Sequence, residues 1–204
     1  MEKTISPALA DAVIHMGKIC GSRGWLPATS GNFSVRSGSD HMVITASGGD
    51  KAQLTPDDLI ELSVDAADHP RASAEAPLHA AIYRARPDAD AIAHVHAQSA
   101  VLASLVFQAD GAVVLHGLEL QKALSGIKTH ETTIRIPIFA NDQDMIALGQ
   151  RAFGVLEGSD RTYGLLLAGH GLYVFGPDAK AALRHVEALD ALFRTQLALK
   201  GIPV

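Results

Sequence analysis

The 204-residue chain contains one cysteine and one tryptophan, and aromatic residues make up only 5% of it. A single thiol, Cys20, excludes an intrachain disulfide and any metal site built on paired cysteines. That scarcity fits a reducing, cytoplasmic compartment. No apolar stretch approaches the roughly 18 residues of a membrane span. Met1-Glu2-Lys3-Thr4 is not a basic start followed by an apolar run, so the expectation is an unexported protein with no membrane partner. Basic charge is also in short supply: 17 Lys and Arg against 22 Asp and Glu give a formal charge of −5. Nucleic acid is therefore not an expected partner, because its binders carry a basic field. What the chain does have is 48% hydrophobic residues, 18 glycines and nine prolines, the material of a packed core with many turns. It also has ten histidines. The length fits a single domain over residues 1–204.

The order of elements can be read from periodicity and punctuation. Ser6-Pro7 offers an N-cap with proline at the first helical position, and Leu9, Val13, Met16 and Cys20 recur at helical spacing, so a first helix is predicted to end near Gly21–Gly24. From Asn32 the period falls to two: Phe33 and Val35, then residues 42–45 across Ser37-Gly38-Ser39-Asp40, predict a hairpin. Thr55-Pro56-Asp57-Asp58 predicts a short helical turn before a strand at 59–62, and residues 76–84 a helix stopped ahead of Pro87. A strand at 91–96, a helix at 99–107 and a short strand at 112–115 follow. Asn141-Asp142 is read as the cap of a helix toward Phe153. Strands at 164–168 and 172–175 flank Gly169-His170-Gly171, and Pro177 opens a terminal helix to about Lys200. Helices and strands mixed without strict βαβ spacing predict an α/β or α+β layer fold, a sheet covered by helices.

Three constellations carry chemistry. In His94-Val95-His96 on a strand, residues i and i+2 share a face and present two imidazoles to one ion. A histidine between glycines at a strand end, Gly169-His170-Gly171, has the backbone freedom to supply a third. Three imidazoles without cysteine match a catalytic zinc with an open position better than a closed structural site, although imidazole also suits iron, cobalt, nickel and manganese. The second constellation is Ser30-Gly31-Asn32, Thr45-Ala46-Ser47-Gly48-Gly49 and Ser73-Ala74-Glu75, small hydroxylated residues beside glycines that can cradle a phosphate without a Walker-type lysine. Lys51 nearby is read as a solvated side chain able to add charge. The third is a pair of carboxylates suited to proton transfer beside a metal, Glu75 and Glu119. His116, His130 and Glu131 are further candidates, whereas His15, His41, His69, His79 and His185 are assigned to helix faces or turns and Cys20 to the core.

In this order, Gly31-Asn32, Ser47-Gly48, Ser73-Ala74-Glu75, His94-Val95-His96 and Gly169-His170-Gly171 resemble the class II aldolase/epimerase (adducin-like) family of zinc enzymes acting on sugar phosphates. Longer strings resemble one branch of it, the dehydratases of methionine salvage. These are Gly24-Trp25-Leu26-Pro27-Ala28-Thr29-Ser30-Gly31-Asn32-Phe33-Ser34, Glu119-Leu120-Gln121-Lys122, Thr129-His130-Glu131 and Ile136-Pro137-Ile138-Phe139-Ala140-Asn141-Asp142-Gln143-Asp144. The resemblance implies a three-layer α/β/α fold around a mainly antiparallel sheet, and one zinc per subunit on His94, His96 and His170. It implies a substrate phosphate on Asn32, Ser47, Gly48 and Ser73. Glu75 matches the aldolase acid/base and Glu119 that of the dehydratases, with Glu119 favoured as the proton shuttle. Where the aldolases usually carry a serine pair before the glutamate, this chain has Ser73-Ala74, one hydroxyl fewer. The reaction implied is loss of water from 5-methylthio-D-ribulose 1-phosphate to give 2,3-diketo-5-methylthiopentyl 1-phosphate. The alternatives are aldol cleavage or epimerisation of another sugar phosphate, or a metal-binding scaffold that has kept the fold without the chemistry. A homotetramer with its active site near a subunit boundary is also implied.

Overall fold

The computed structural model describes residues 5–159 and 161–203. Among the described residues, eight strands form one sheet: β1 (Asn32–Ser37), β2 (His41–Thr45), β3 (Leu59–Ser63), β4 (Ala91–Val95), β5 (Ala112–Leu115), β6 (Ile134–Phe139), β7 (Gly164–Leu167) and β8 (Gly171–Gly176). Their spatial order is β3-β2-β1-β4-β8-β7-β6-β5, antiparallel throughout except for the parallel pair β6–β7. The sheet is covered by helices, among the described residues α1 (Pro7–Ser22), α2 (Ala76–Ala85), α3 (Gln98–Val106), α4 (Met145–Leu156) and α5 (Ala179–Leu199).

The alternation of strand side chains divides the core in two. Val13, Met16 and Cys20 of α1, Ala100 and Ala103 of α3, and Val186, Leu189 and Phe193 of α5 pack on Phe33, Val35, Ala93, Val95 and Val174. Leu78 and Ile82 of α2 and Leu148 and Ala152 of α4 pack on Met42, Ile44, Ile92 and Tyr173 from the other side. In the apolar run 165–167, Leu165 and Leu167 face α2 and α4 while Leu166 faces α1, α3 and α5, so this strand is buried on both faces. The result is the three-layer α/β/α architecture with a mainly antiparallel sheet that the resemblance implied.

Two elements depart from the sequence reading. That reading places no element at β6, where Pro137 interrupts an otherwise alternating Ile134, Ile136, Ile138. In the fold Pro137 opposes Ala112 at the end of the β5 ladder, and pairing with β7 begins only at Ile138, so the missing N–H falls where one neighbour ends and the next begins. Helix α4 is capped by Asp144, whose carboxylate accepts from the Ile146 and Ala147 N–H groups at 3.1 and 2.9 Å, and not by Asn141-Asp142. Asp142 instead accepts from the Asp144 N–H and pairs with Arg151. Among the described residues, no helix is long and apolar enough to cross a membrane.

Candidate active site

Strand register builds the site. His94 on β4 lies opposite Asn32 of β1 on one side and Tyr173 of β8 on the other, so the three side chains stand in a row on the face covered by α2 and α4. The fully buried Tyr173 ring stacks on the His94 imidazole, with centroids 3.9 Å apart and planes 17° apart. His96 follows β4 by one residue, and His170 sits in the β7–β8 turn, where Gly169 takes the left-handed φ of +67°. One ring nitrogen from each of His94, His96 and His170 lies within 4.8 Å of the others, and the Nε2 atoms of His94 and His96 are 2.9 Å apart.

Glycine is required at two points of close approach to the strand that carries these rings. A Cβ on Gly171 would lie 2.5 Å from the Val95 carbonyl oxygen, 3.1 Å from His94 Cε1 and 3.2 Å from His96 Cδ2. One on Gly31, at φ +86°, would meet the His94 carbonyl oxygen at 2.6 Å. Gly171→Ala is therefore expected to displace two imidazoles and lower metal affinity by at least about 10-fold, the range seen when ligand-supporting contacts are lost. Metal content after dialysis checks this, with Gly154→Ala, which meets nothing within 4 Å, as the unchanged control.

Hydrogen bonds fix the ring protons. His94 Nδ1 lies 3.2 Å from the Leu172 carbonyl oxygen and His170 Nδ1 3.2 Å from Asn141 Oδ1, both acceptors, so each ring carries its proton on Nδ1 and turns the Nε2 lone pair inward. The Glu75 carboxylate meets those lone pairs: Oε1 is 3.1 Å from His170 Nε2 and Oε2 is 3.3 Å from His94 Nε2. Lone pairs converging on a carboxylate repel unless a cation lies between them, so this donor set fits a divalent ion that takes nitrogen and oxygen ligands, zinc among them. Burial pushes His94 down to about 3 and also lowers His96, leaving both neutral, the form that ligates a metal. Burial acts to raise the Glu75 carboxyl, and the Asn32 amide hydrogen-bonded to it acts in the opposite direction, as does any proton carried by His94 or His170.

A buried chain of hydrogen bonds holds Glu75 from behind. Asn32 donates Nδ2–H to Glu75 Oε2 and accepts at Oδ1 from His79 Nε2 at 2.6 Å. His79 Nδ1 then accepts from the Ser34 hydroxyl at 2.7 Å, and Ser34 Oγ accepts from the Tyr83 hydroxyl at 2.9 Å. His79, expected on an ordinary helix face, is fully buried. Its signal is present in the sequence, since Glu75 and His79 lie one helical turn apart at the start of α2. Burial brings His79 down from 6.5 to about 4. Between these values the unfolded chain binds a proton that the native state refuses, so stability falls as pH drops through this window and is flat above it. For His79 alone the loss from pH 6.5 to 5 is about 2 kcal/mol, at about 1.4 kcal/mol per unit. Urea unfolding of the metal-free protein at the two pH values measures it, and equal midpoints would refute it.

Next to the histidines lies a cleft of about 280 Å³ whose lining includes Ser47, Gly48, Ser73, Ala74, Glu75 and His170. Ser47, Gly48 and Ser73 thus come together as expected, at the positive end of α2, where Glu75 stands in the N-cap position. Asn32 is adjacent but not in the lining, with its amide engaged by Glu75 and His79. Lys51 departs from the expectation of a solvated side chain: it is 5% exposed and lines the same cleft.

Glu119 lies on a 3-10 turn, Glu119–Ala123, with its side chain 71% exposed, 2.6 Å from Lys122 Nζ and 3.6 Å from His130 Nδ1. Its partners are these two and not the histidine triad. The hydrogen bond and charge of Lys122 lower its pKa. The strings around Glu119 and His130 meet in the β5–β6 connection: the Gly117 N–H donates to the His130 carbonyl at 2.8 Å, and the fully buried Gln121 accepts from the Leu118 N–H and donates to the Thr132 carbonyl. Gln121 and Tyr173 send no signal of their own in the sequence, because their environments depend on loop closure and strand register. His185, expected on an ordinary helix face, is likewise buried: its ring accepts from the Ser125 N–H and donates to the Phe175 carbonyl.

A mainly antiparallel sheet between two helical layers, with three histidines and a glutamate at the β4–β8 junction, is the frame in which the likeness to known proteins falls. The profile of the Class II Aldolase and Adducin N-terminal domain matches residues 11–197, and the chain belongs to this class II aldolase family. It is 48% identical over 188 residues to a methylthioribulose-1-phosphate dehydratase of Parvibaculum lavamentivorans, with 92% of each chain covered. To the protein of the same name from Methylococcus capsulatus it is 42% identical over 206 residues, with 99% of each covered. Among solved structures it resembles L-fuculose-1-phosphate aldolase from Thermus thermophilus, with a TM-score of 0.74 and 27% identity over 95% of both chains.

Proposed function

We propose that this chain is a zinc-dependent lyase of methionine salvage that removes water from 5-methylthio-D-ribulose 1-phosphate to give 2,3-diketo-5-methylthiopentyl 1-phosphate. The observation that carries the reading is the convergence of three imidazoles and Glu75 beside a cleft of hydroxyls at a helix N-terminus. The names of relatives at 42–48% identity supply the substrate. His94, His96 and His170 would hold one zinc ion per subunit, and the chemistry it would supply is Lewis-acid polarisation of the substrate carbonyl, which makes the neighbouring C–H more acidic.

The chain's own groups do the rest. Ser47, Gly48 and Ser73 hold the phosphoryl group at the positive end of α2, with Asn32 supporting the same wall. Glu119 takes the C3 proton and returns it to the C4 hydroxyl, which leaves as water, and the resulting enol ketonises. Glu75, held by Asn32 against two of the imidazoles, is the supporting carboxylate or the alternative base. Because Glu119 is exposed in the single chain, it acts in this reading at a site completed by a second copy. Leu120, next to it in the chain, and Val114 of β5, 46% and 41% exposed, suit burial in a homotetramer. The compartment proposed is the cytoplasm.

Aldol cleavage of a sugar phosphate is the second reading, favoured by Glu75 and not Glu119 standing at the triad. Incubation of the zinc-loaded protein with 5-methylthio-D-ribulose 1-phosphate, followed by mass analysis, separates them. A diketone lighter than the substrate by one water supports dehydration, two fragments support cleavage, and unchanged substrate overturns the specific assignment.

A further inference from the structure

Lys51 is a largely buried lysine with no carboxylate in contact with its ammonium group. It is 5% exposed, and its Nζ donates to the carbonyl oxygens of Gly48 and of Gly49, the latter at 3.1 Å. Among the described residues no carboxylate oxygen lies within 4.0 Å of it, and Asp58 and Asp50 act on it only at longer range. An ammonium has three N–H donors, and the two carbonyls take two. Removing such a charge from water is costly unless an anion meets it, and burial does lower the Lys51 pKa. The cleft it lines supplies the surroundings of an anion: the Ser47 and Ser73 side chains, the N-terminus of α2, and the Gly48 and Ala74 N–H groups, which find no acceptor among the described residues. Gly48 and Gly49, at φ +75° and +71°, let the loop fold its carbonyls back onto Nζ.

We propose that Lys51 is the cationic partner of the substrate's phosphoryl group in this cleft, binding it together with Ser47 and Ser73. This rests on the reading above that the substrate is a sugar phosphate. It also accounts for the single hydroxyl in Ser73-Ala74: a fixed positive charge replaces part of what a second serine would donate. A lysine serving only to clasp the Gly48–Gly49 loop would make the same carbonyl contacts but would not distinguish a phosphorylated ligand from its free alcohol.

The test uses the zinc-loaded protein titrated calorimetrically with glycerol 1-phosphate and, in parallel, with glycerol. The wild type is expected to prefer the phosphate ester. Lys51→Met is expected to weaken the ester by about 10–100-fold, the worth of one charge-assisted hydrogen bond, without changing glycerol binding. Lys51→Arg, which keeps the charge, is expected to retain most of the preference. In turnover, Lys51→Met raises KM for the phosphorylated ketose with kcat little changed, as for a group that binds ground and transition states alike. Should Lys51→Met not fold, the wild-type Lys51 15Nζ resonance provides the reading, moving on addition of the ester and not of glycerol. Equal affinity of wild type and Lys51→Met for the ester, or a still resonance in the wild type with the ester bound, overturns the assignment of Lys51 while the phosphate cleft stands. A wild type that binds ester and alcohol alike overturns the cleft reading and the proposal with it.

Discussion

Chelation of the zinc-loaded protein is expected to lower its turnover of 5-methylthio-D-ribulose 1-phosphate by at least about 10³-fold, since Lewis-acid stabilisation is worth several kcal/mol and each 1.4 kcal/mol is a factor of ten. Activity should return on adding zinc. The same loss is expected of His96→Ala, here without rescue, because the variant lacks one of three nitrogens that converge within 4.8 Å. The fold should survive the substitution: His96 lies just beyond the end of β4, and its side chain is not part of either apolar core. Circular dichroism and metal analysis of the purified variant separate a lost ion from a lost fold. Full turnover by a variant shown to be metal-free would refute the zinc reading.

Glu119→Gln is expected to cut turnover by about 10²–10⁴-fold, the usual contribution of a general acid/base, with metal content intact. Near-normal turnover would move the proton transfer to Glu75, and Glu75→Gln provides the comparison. In that variant the imidazoles lose an anionic neighbour 3.1 and 3.3 Å from two Nε2 atoms, so metal affinity should fall together with rate. The location of Glu119 adds a sharper test. Its carboxylate is 71% exposed and paired with Lys122 and His130, away from the triad of its own chain. If it serves a site in a second copy, inactive Glu119→Gln and inactive His96→Ala subunits should regain activity when unfolded, mixed and refolded together, because some hybrid sites carry both intact groups. Mixtures as inactive as their components would place the action of Glu119 within one chain or nowhere.

Much of the fold and the triad is legible in local pattern. The helix from Pro7, the hairpin across residues 37–40, the turn at Pro56 and the strand ending at His94-Val95-His96 follow from spacing, caps and glycine, all properties of neighbouring residues. Strand β6 and the cap of α4 escape such a reading because Pro137 and Asn141-Asp142 send local signals that pairing with β5 and the nearer carboxylate of Asp144 override. The phosphate segments are recognisable as loops with hydroxyls and glycines, but Asn32, grouped with them, turns its amide to Glu75 and His79.

Composition and spacing alone pointed to a helix-covered sheet and to a cluster of histidines without cysteine. An HxH on a strand fixes two imidazoles to one face, and a Gly-His-Gly turn limits where the third can go. Only the tertiary structure decided what surrounds them. The register of β1, β4 and β8 set Asn32, His94 and Tyr173 in one row, the approach of α2 placed His79 behind them, and the fold of the residue 47–51 loop took Lys51 out of water. Burial and register are relations between segments far apart in sequence, and no local pattern encodes whether a lysine will meet solvent or a cleft.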